Sequence, residues 1–484
     1  MRQQRRRYKA LALLIFFFFL ILALYGAYSV FHNGNRWFAS LRNPRVRTQK
    51  ANVVAGDVLD RNGLVLASTD AEGTRVYQDS AEDRSSVVHI LGDPQGQIAN
   101  AVETFQSGYL YGFQASLLER IQDLMGNRER KGDQVQLTID ARLHTEIVRA
   151  FGRYEKTRNH NGAAVVLNYR TGELLAEVSL PSFDPDAMTE ELTEDPGKPF
   201  WNRATQSLYP PGSTFKIVTA ASALGNLKGA DQETFLCTGE LGIGEHVIHD
   251  FGLARHGEMT LSQAFMASCN QIYAQLALRL GDTQLRKTAE NFGWNENFLF
   301  RDLVVENSRY PVRAGRSNYE VAASGFGQSA IVATPMHMCL VSAAVANGGT
   351  MMEPVVVRRV TGPDGRLRKG LESRTYRQAI RLTEAETLAQ YMKDTVTMGT
   401  ATACRISGAV TGGKTGTADS NVNGVPVSYG WFTGYMEGDV PIAVCVLVED
   451  LDDGDSGGNT AAVIAADIFR YALKYPERLT EGGK

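Results

Sequence analysis

Cysteine is scarce in this chain and badly spaced for metal or redox work. The 484 residues hold five: Cys237, Cys269, Cys339, Cys404 and Cys445, with no Cys-x-x-Cys pair among them. That excludes the common structural-zinc and thioredoxin-like signatures. Cys339 and Cys445 lie in apolar runs and read as small buried hydrophobes. Cys237 with Cys269 is the pair to test for a disulfide, in an oxidising compartment. Positive charge in excess is also missing. The net charge is −3, which argues against a general nucleic-acid binder, because such a protein needs a basic face. No internal repeat and no long low-complexity segment is visible, so solenoids and disordered arrays are excluded. Hydrophobic residues make up 43% and charged ones 21%, enough to bury a large core.

Charge is concentrated at the start. Arg2, Arg5, Arg6, Arg7 and Lys9 precede residues 11–31, a run without a charged side chain. A membrane span needs ~20 apolar residues. A cleaved signal peptide has a shorter apolar core, ~7–15 residues. The run therefore predicts an uncleaved anchor, with the basic end in the cytoplasm and the rest of the chain outside. The expected organisation is a basic tail and anchor over 1–31, a stem over 32–131, and a catalytic domain over 132–484.

In the stem, 57–59 and 64–67 form an expected hairpin turned at Asp60-Arg61-Asn62-Gly63, because Asn-Gly tolerates positive φ. Beyond Gly132, 135–139 alternates like a strand and 141–154 like a helix. A second hairpin joins 163–168 to 173–179 through Tyr169-Arg170-Thr171-Gly172. Pro, Asp, Asn and Glu crowd 180–212, which reads as a long surface loop. Helices are expected over 213–224, 261–267 and 272–280, the last closed by Gly281. Another spans 383–396, with Thr383 and Glu386 as a capping box and Gly399 as its stop. Strands follow at 428–435 and 441–448, then a helix over 460–473 capped by Asn459. Strands and helices are segregated, which favours an α+β domain: an antiparallel sheet covered by helices.

Three motifs could carry chemistry. In Tyr209-Pro210-Pro211-Gly212-Ser213-Thr214-Phe215-Lys216, the prolines and glycine force an irregular entry to a helix. Ser213 and Lys216 then share a face. A serine hydroxyl attacks only when a base takes its proton, and a lysine is that base only when neutral, as burial can make it. Alone, the motif reads first as a capped helix with a snorkelling lysine. In Ser268-Cys269-Asn270, a hydroxyl and an amide two residues apart could relay a proton and orient a carbonyl; helix capping is the plainer alternative. The third, Gly412-Gly413-Lys414-Thr415-Gly416-Thr417, fits the P-loop pattern when Gly408 is included. A P-loop needs a helix after it, and the turn-rich 418–424 argues against one. Read instead as a strand edge, Gly416 lets an extended peptide approach the backbone. Lys414 would add positive charge there, and Thr415 and Thr417 hydroxyls could hold a carboxylate.

Together, in this order, the three motifs resemble those of penicillin-binding proteins and serine β-lactamases. Asn202-Arg203-Ala204, Gly327-Gln328 with Thr334-Pro335, Ala346-Asn347-Gly348-Gly349 and Gly399-Thr400-Ala401 narrow the resemblance to class B penicillin-binding proteins. Asp60-Arg61-Asn62-Gly63 with Leu66-Ala67 is similar to their stem, and the short stem is similar to the A-type subgroup. The resemblance implies a penicillin-binding, β-lactamase-like α+β fold and a membrane-anchored peptidoglycan DD-transpeptidase. Ser213 would attack the D-Ala-D-Ala bond of a stem peptide, release D-alanine, and pass the acyl group to an amine of a neighbouring peptide. Lys216 would be the acylation base, Ser268 would pass the proton to the leaving amine, and Asn270 would bind the donor's amide. Lys414 would tune Ser268 and Lys216, and the N–H groups of Ser213 and Thr417 would form the oxyanion hole. Penicillins would acylate the same serine. No metal or organic cofactor is implied. The implied partner is a membrane glycosyltransferase of the shape, elongation, division and sporulation family.

Competing readings are a DD-carboxypeptidase or β-lactamase on the same fold, a β-lactam sensor, and a nucleotide binder using the P-loop pattern. A β-lactamase needs a positioned carboxylate or modified lysine for its deacylating water, and none is identifiable. A sensor needs a cytoplasmic signalling region, and only about ten residues precede the apolar run. His246, His249 and His256 with Asp250 read as loop residues rather than metal ligands. Glu449, Asp450, Asp452, Asp453 and Asp455 lack calcium-loop spacing and read as a solvated turn.

Overall fold

The computed structural model describes residues 2–38, 53–98, 100–112, 130–313, 315–422 and 424–480. Two parts of the expected stem, 39–52 and 113–129, lie outside these described residues. The first element is one helix, Arg2–Phe38. Its stretch Arg7–Tyr28, 22 residues with a mean hydropathy of 2.7, is long and apolar enough to cross a membrane.

The central sheet has five strands in the order Thr411–Val422, Val425–Met436, Ile442–Val448, Gly162–Asn168 and Leu174–Leu180. All its pairings are antiparallel. Helices cover both faces, so two inner strands, Gly162–Asn168 and Ile442–Val448, read as near-continuous apolar runs rather than alternations; every residue of both is buried. Ala141–Arg153 and Ala461–Lys474 pack on one face. Pro335–Ala346 packs on the other, with Lys216–Asn226 and Asn270–Phe292 beyond it. This is the α+β layering expected from the segregated elements.

A second sheet runs Leu367–Lys369, Val357–Thr361, Gln134–Leu137, Val58–Leu59, Val65–Thr69, Arg75–Tyr77. It draws strands from both sides of residue 131. The expected stem hairpin is present, and its turn is held by Asp60 Oδ1, which accepts from Asn62 N at 2.8 Å and Leu64 N at 2.9 Å. Arg61 leaves that turn for the part of the chain that carries the central sheet. Its guanidinium donates to the Thr138 carbonyl at 3.1 Å and lies 3.7 Å from Glu173, both side chains buried.

Several local expectations shift. The helix expected over 383–396 is Leu382–Met398; its N-cap is Arg381, and Glu384 rather than Glu386 reaches back to the cap. Glu384 accepts from the Arg381 N–H at 2.9 Å, so the carboxylate that reaches back to the cap lies two residues earlier than in the Thr383–Glu386 reading. Gly399 does end the helix. Asn459 caps nothing: its Oδ1 accepts from Ser456 N at 2.8 Å, inside the preceding turn. Gly281, with φ +73°, breaks the helix that begins at Asn270, but helix resumes beyond it to Phe292. Residues 418–422 continue the strand, against the turn-rich reading, because the hairpin Thr411–Val422 with Val425–Met436 stays paired out to Val422 and Val425. All five cysteines are free thiols, Cys237 and Cys269 included.

Candidate active site

The three motifs, 52 and 146 residues apart between their contacting members, meet on one cleft. Ser213 sits in a 3-10 turn, Gly212–Phe215, that leads into the α-helix Lys216–Asn226. Residues three apart eclipse in a 3-10 turn, so Ser213 and Lys216 lie on one side. Gly212 has φ +51°, and a Cβ there would meet the Thr417 carbonyl at 2.8 Å. Gly416 is close from the other side, with a Cβ position 3.1 Å from the Pro211 carbonyl. The nucleophile turn is therefore pressed against the strand carrying Lys414, an approach that the missing Cβ atoms of both glycines ease and that Gly212 requires.

Lys216 is fully buried. Its Nζ donates to the Ser268 carbonyl at 2.5 Å, to Ser268 Oγ at 3.2 Å and to Asn270 Oδ1 at 2.8 Å. Lys414, also fully buried, donates from Nζ to Ser268 Oγ at 2.9 Å and to the Thr415 carbonyl at 2.9 Å. Ser268 thus stands between two lysines. Its φ is +59°, a strained value for a residue with a side chain and of the kind that clusters at working sites.

The capping alternative for Ser268 and Asn270 fails for a physical reason. The helix Asn270–Phe292 is capped by Cys269, whose Sγ accepts from Ile272 N at 3.4 Å. Asp250, remote in sequence, does the rest. Its Oδ1 accepts from Asn270 N and, at 3.3 Å, from Gln271 N. A carboxylate at a helix N-terminus satisfies donors that the helix cannot. With capping done by Cys269 and Asp250, the Ser268 and Asn270 side chains are free to meet Lys216.

Burial pushes the Lys216 ammonium down to about 7, partly offset by Asp250 and Cys269 nearby. Burial also drives Lys414 well below its ordinary value, and the neighbouring Lys216 adds to this. Two ammonium groups converging on one hydroxyl cannot both stay charged without cost. The arrangement supplies a lysine able to take a proton near neutral pH, next to hydroxyls able to give or relay one.

The cleft has a volume of about 960 Å³, and Ser213, Ser268, Asn270, Thr415, Gly416 and Thr417 line it. Thr415 is fixed by a 2.6 Å hydrogen bond to Thr400. Thr417 Oγ1 accepts from Gly457 N at 3.3 Å. The P-loop reading does not survive: the Gly-Lys-Thr sequence lies within a strand, and the next element is another strand.

Sequence reasoning passed over Asp250, grouping it with loop histidines. His246 and His249 are exposed on the strand His246–His249, and His246 lies against Tyr319 with ring centroids 4.4 Å apart. Asp250, in contrast, is buried. Its Oδ2 accepts from Cys237 Sγ at 2.9 Å and Cys269 Sγ at 3.1 Å, and His256 Nδ1 lies 3.5 Å away. These four residues bring ligand atoms within 4.8 Å of one another, a donor set of the sort that suits zinc. The serine–lysine chemistry routes no step through them. No local sequence pattern marks the group, because its members come from four separated positions. In the acidic turn, Asp455 pairs with Lys156, and Asp452 is 3.8 Å from His160.

Comparison with known proteins gives a consistent result. The family model for the penicillin binding protein transpeptidase domain matches residues 162–470. A curated relative, peptidoglycan D,D-transpeptidase PbpA of Mycolicibacterium smegmatis, is 28% identical over 90% of this chain and 91% of its own length. PbpA of Mycobacterium tuberculosis is 30% identical over 78% of this chain and 80% of its own. The structure of penicillin-binding protein A from M. tuberculosis as a penicillin G acyl-enzyme complex is similar at a TM-score of 0.76 and 26% identity. That match covers 87% of this chain and 100% of the other.

Proposed function

This chain belongs to the penicillin-binding protein transpeptidase family, and we propose that it is a peptidoglycan D,D-transpeptidase that forms its acyl-enzyme on Ser213. The observation that carries the assignment is the buried Lys216, placed on Ser268 and Asn270 beneath the cleft that Ser213 lines. Neutral Lys216 takes the Ser213 proton as Oγ attacks the carbonyl between the two D-alanines. Ser268, whose Oγ accepts from both lysines, takes the proton from Lys216 and passes its own to the leaving amine of D-alanine. Asn270 orients the donor's amide. The N–H groups of Ser213 and Thr417 receive the oxyanion. Lys414 holds Ser268 in place and adds positive potential. Thr415 and Thr417 hydroxyls hold the terminal carboxylate, and the donor peptide lies along Gly416. An amine of a second stem peptide then attacks the acyl-enzyme and forms the crosslink. A β-lactam, whose strained amide mimics the scissile bond, stops the cycle at the acyl-enzyme.

The basic residues ahead of the apolar helix support an orientation with the N-terminus in the cytoplasm and the catalytic domain outside. That is also where peptidoglycan lies. The organisation into anchor, stem over 32–131 and catalytic domain over 132–484 belongs to the same reading. So does a membrane glycosyltransferase of the shape, elongation, division and sporulation family as partner, which the anchor and stem motivate. Equal co-purification of that partner with and without the stem would remove it.

The test of the function is product partition. Incubated with a donor peptide ending in D-Ala-D-Ala and an amine acceptor, the detergent-solubilised protein should yield crosslinked peptide, with D-alanine released. Free tetrapeptide acid as the sole product would indicate a DD-carboxypeptidase instead.

A further inference from the structure

Phe251 is a large apolar side chain in the wrong place for stability: 73% exposed, on a short turn, and lining the catalytic cleft. Exposed apolar residues are ordinary when scattered, but this one sits on a rigid mount. The turn Phe251–Leu253 follows Asp250, the carboxylate that caps the helix beginning at Asn270. Asp250 N donates to the Gly239 carbonyl at 3.1 Å, and Leu253 N returns to the Asp250 carbonyl at 2.9 Å. The turn holds two consecutive left-handed residues, Gly252 at φ +63° and Leu253 at φ +58°. The second carries a side chain, so the conformation is strained and needs its anchors. From the other side, Asn270 Nδ2 donates to the His249 carbonyl at 3.2 Å, two residues before Phe251. The backbone leading into the turn is thus tied to the amide side chain that orients the donor, and Tyr319 and Phe326 add further aromatic surface to the same cleft.

We infer that Phe251 is a specificity residue for the acyl donor: its ring is the apolar surface on which the part of the donor beyond the Asn270-bound amide lies. The inference rests on the Ser213 transpeptidase reading. In the peptide substrate that part is the aliphatic portion of the residue preceding the D-alanyl pair. In a penicillin it is the acyl side chain attached to the nucleus. Burying half of an aromatic ring against such a group gives about a tenfold preference.

Two β-lactams separate this contact from general damage. Penicillin G carries a phenylacetamide, whereas 6-aminopenicillanic acid carries a bare amine on the same nucleus. The second-order acylation rate of full-length protein is measured with each. Phe251→Ala should slow penicillin G about tenfold and leave 6-aminopenicillanic acid within about twofold. Phe251→Leu, which keeps apolar area, should recover most of the penicillin G rate. An equal fall with both compounds, or no fall with either, overturns the assignment. Wild-type protein that takes no adduct from either compound overturns the Ser213 reading and this inference with it.

Discussion

Lys216→Arg should lose penicillin acylation as completely as Lys216→Ala, by about 10³-fold. The two variants separate the roles a buried cation can play. Arginine keeps the positive charge and the donors to Ser268 and Asn270, but a guanidinium stays protonated at any working pH and cannot take a proton. If Lys216 served only to hold Ser268 and Asn270, arginine would rescue part of the rate. The base role also fixes the sign of the pH dependence. Burial brings Lys216 down to about 7, so the neutral, proton-accepting form dominates above that value and the ammonium below it. Wild-type acylation should therefore rise with pH through about 7 and then level off. A Lys216→Arg variant within tenfold of wild type, or a rate that falls as pH rises through 7, contradicts the base assignment. Thermal unfolding of each variant checks that the fold persists.

Lys414→Met should lower acylation by about 10²–10³-fold while leaving stability unchanged or higher. The loss follows from removing a preorganised donor on Ser268 at 2.9 Å, in a water-poor site where such interactions are strong. The stability effect has the opposite sign because Lys414 is fully buried and its ammonium is destabilised by burial and by Lys216. Methionine keeps the unbranched chain and most of the volume, and it removes the charge that burial penalises. It also keeps packing near the Phe265 ring, whose centroid lies 5.8 Å from Lys414 Nζ. A melting temperature that drops by several degrees would mean that Lys414 is mainly structural. Equal acylation rates would remove it from the catalytic group.

Much of this site was legible because its parts are local in sequence and stereotyped in chemistry. Ser213 and Lys216 are three residues apart, Ser268 and Asn270 two apart, and the glycines around Lys414 mark a strand that must approach another backbone closely. What joins them is not local. Asp250 caps the helix at Asn270 across 20 residues, and nothing in a Gly-rich loop announces a buried carboxylate. The same holds for Thr400, which fixes Thr415 through a hydroxyl pair. In the fold, periodicity found the hairpins and helices, whereas their ends depended on competition between neighbouring caps. Arg381 with Glu384 won over Thr383 with Glu386 because the earlier carboxylate reaches both the N–H and the guanidinium of Arg381. The strand beyond Thr417 was hidden because Ala418-Asp419-Ser420-Asn421 has poor strand propensity. Pairing with Pro426 to Tyr429 overrides it.

The central claim is that Ser213 carries the acyl group, and intact-protein mass spectrometry after exposure to penicillin G tests it most directly. The account predicts one adduct of the full mass of the β-lactam, mapped by peptide digestion to Ser213 and absent from Ser213→Ala. A penicillin adduct that persists in Ser213→Ala, or maps to another residue, would contradict it.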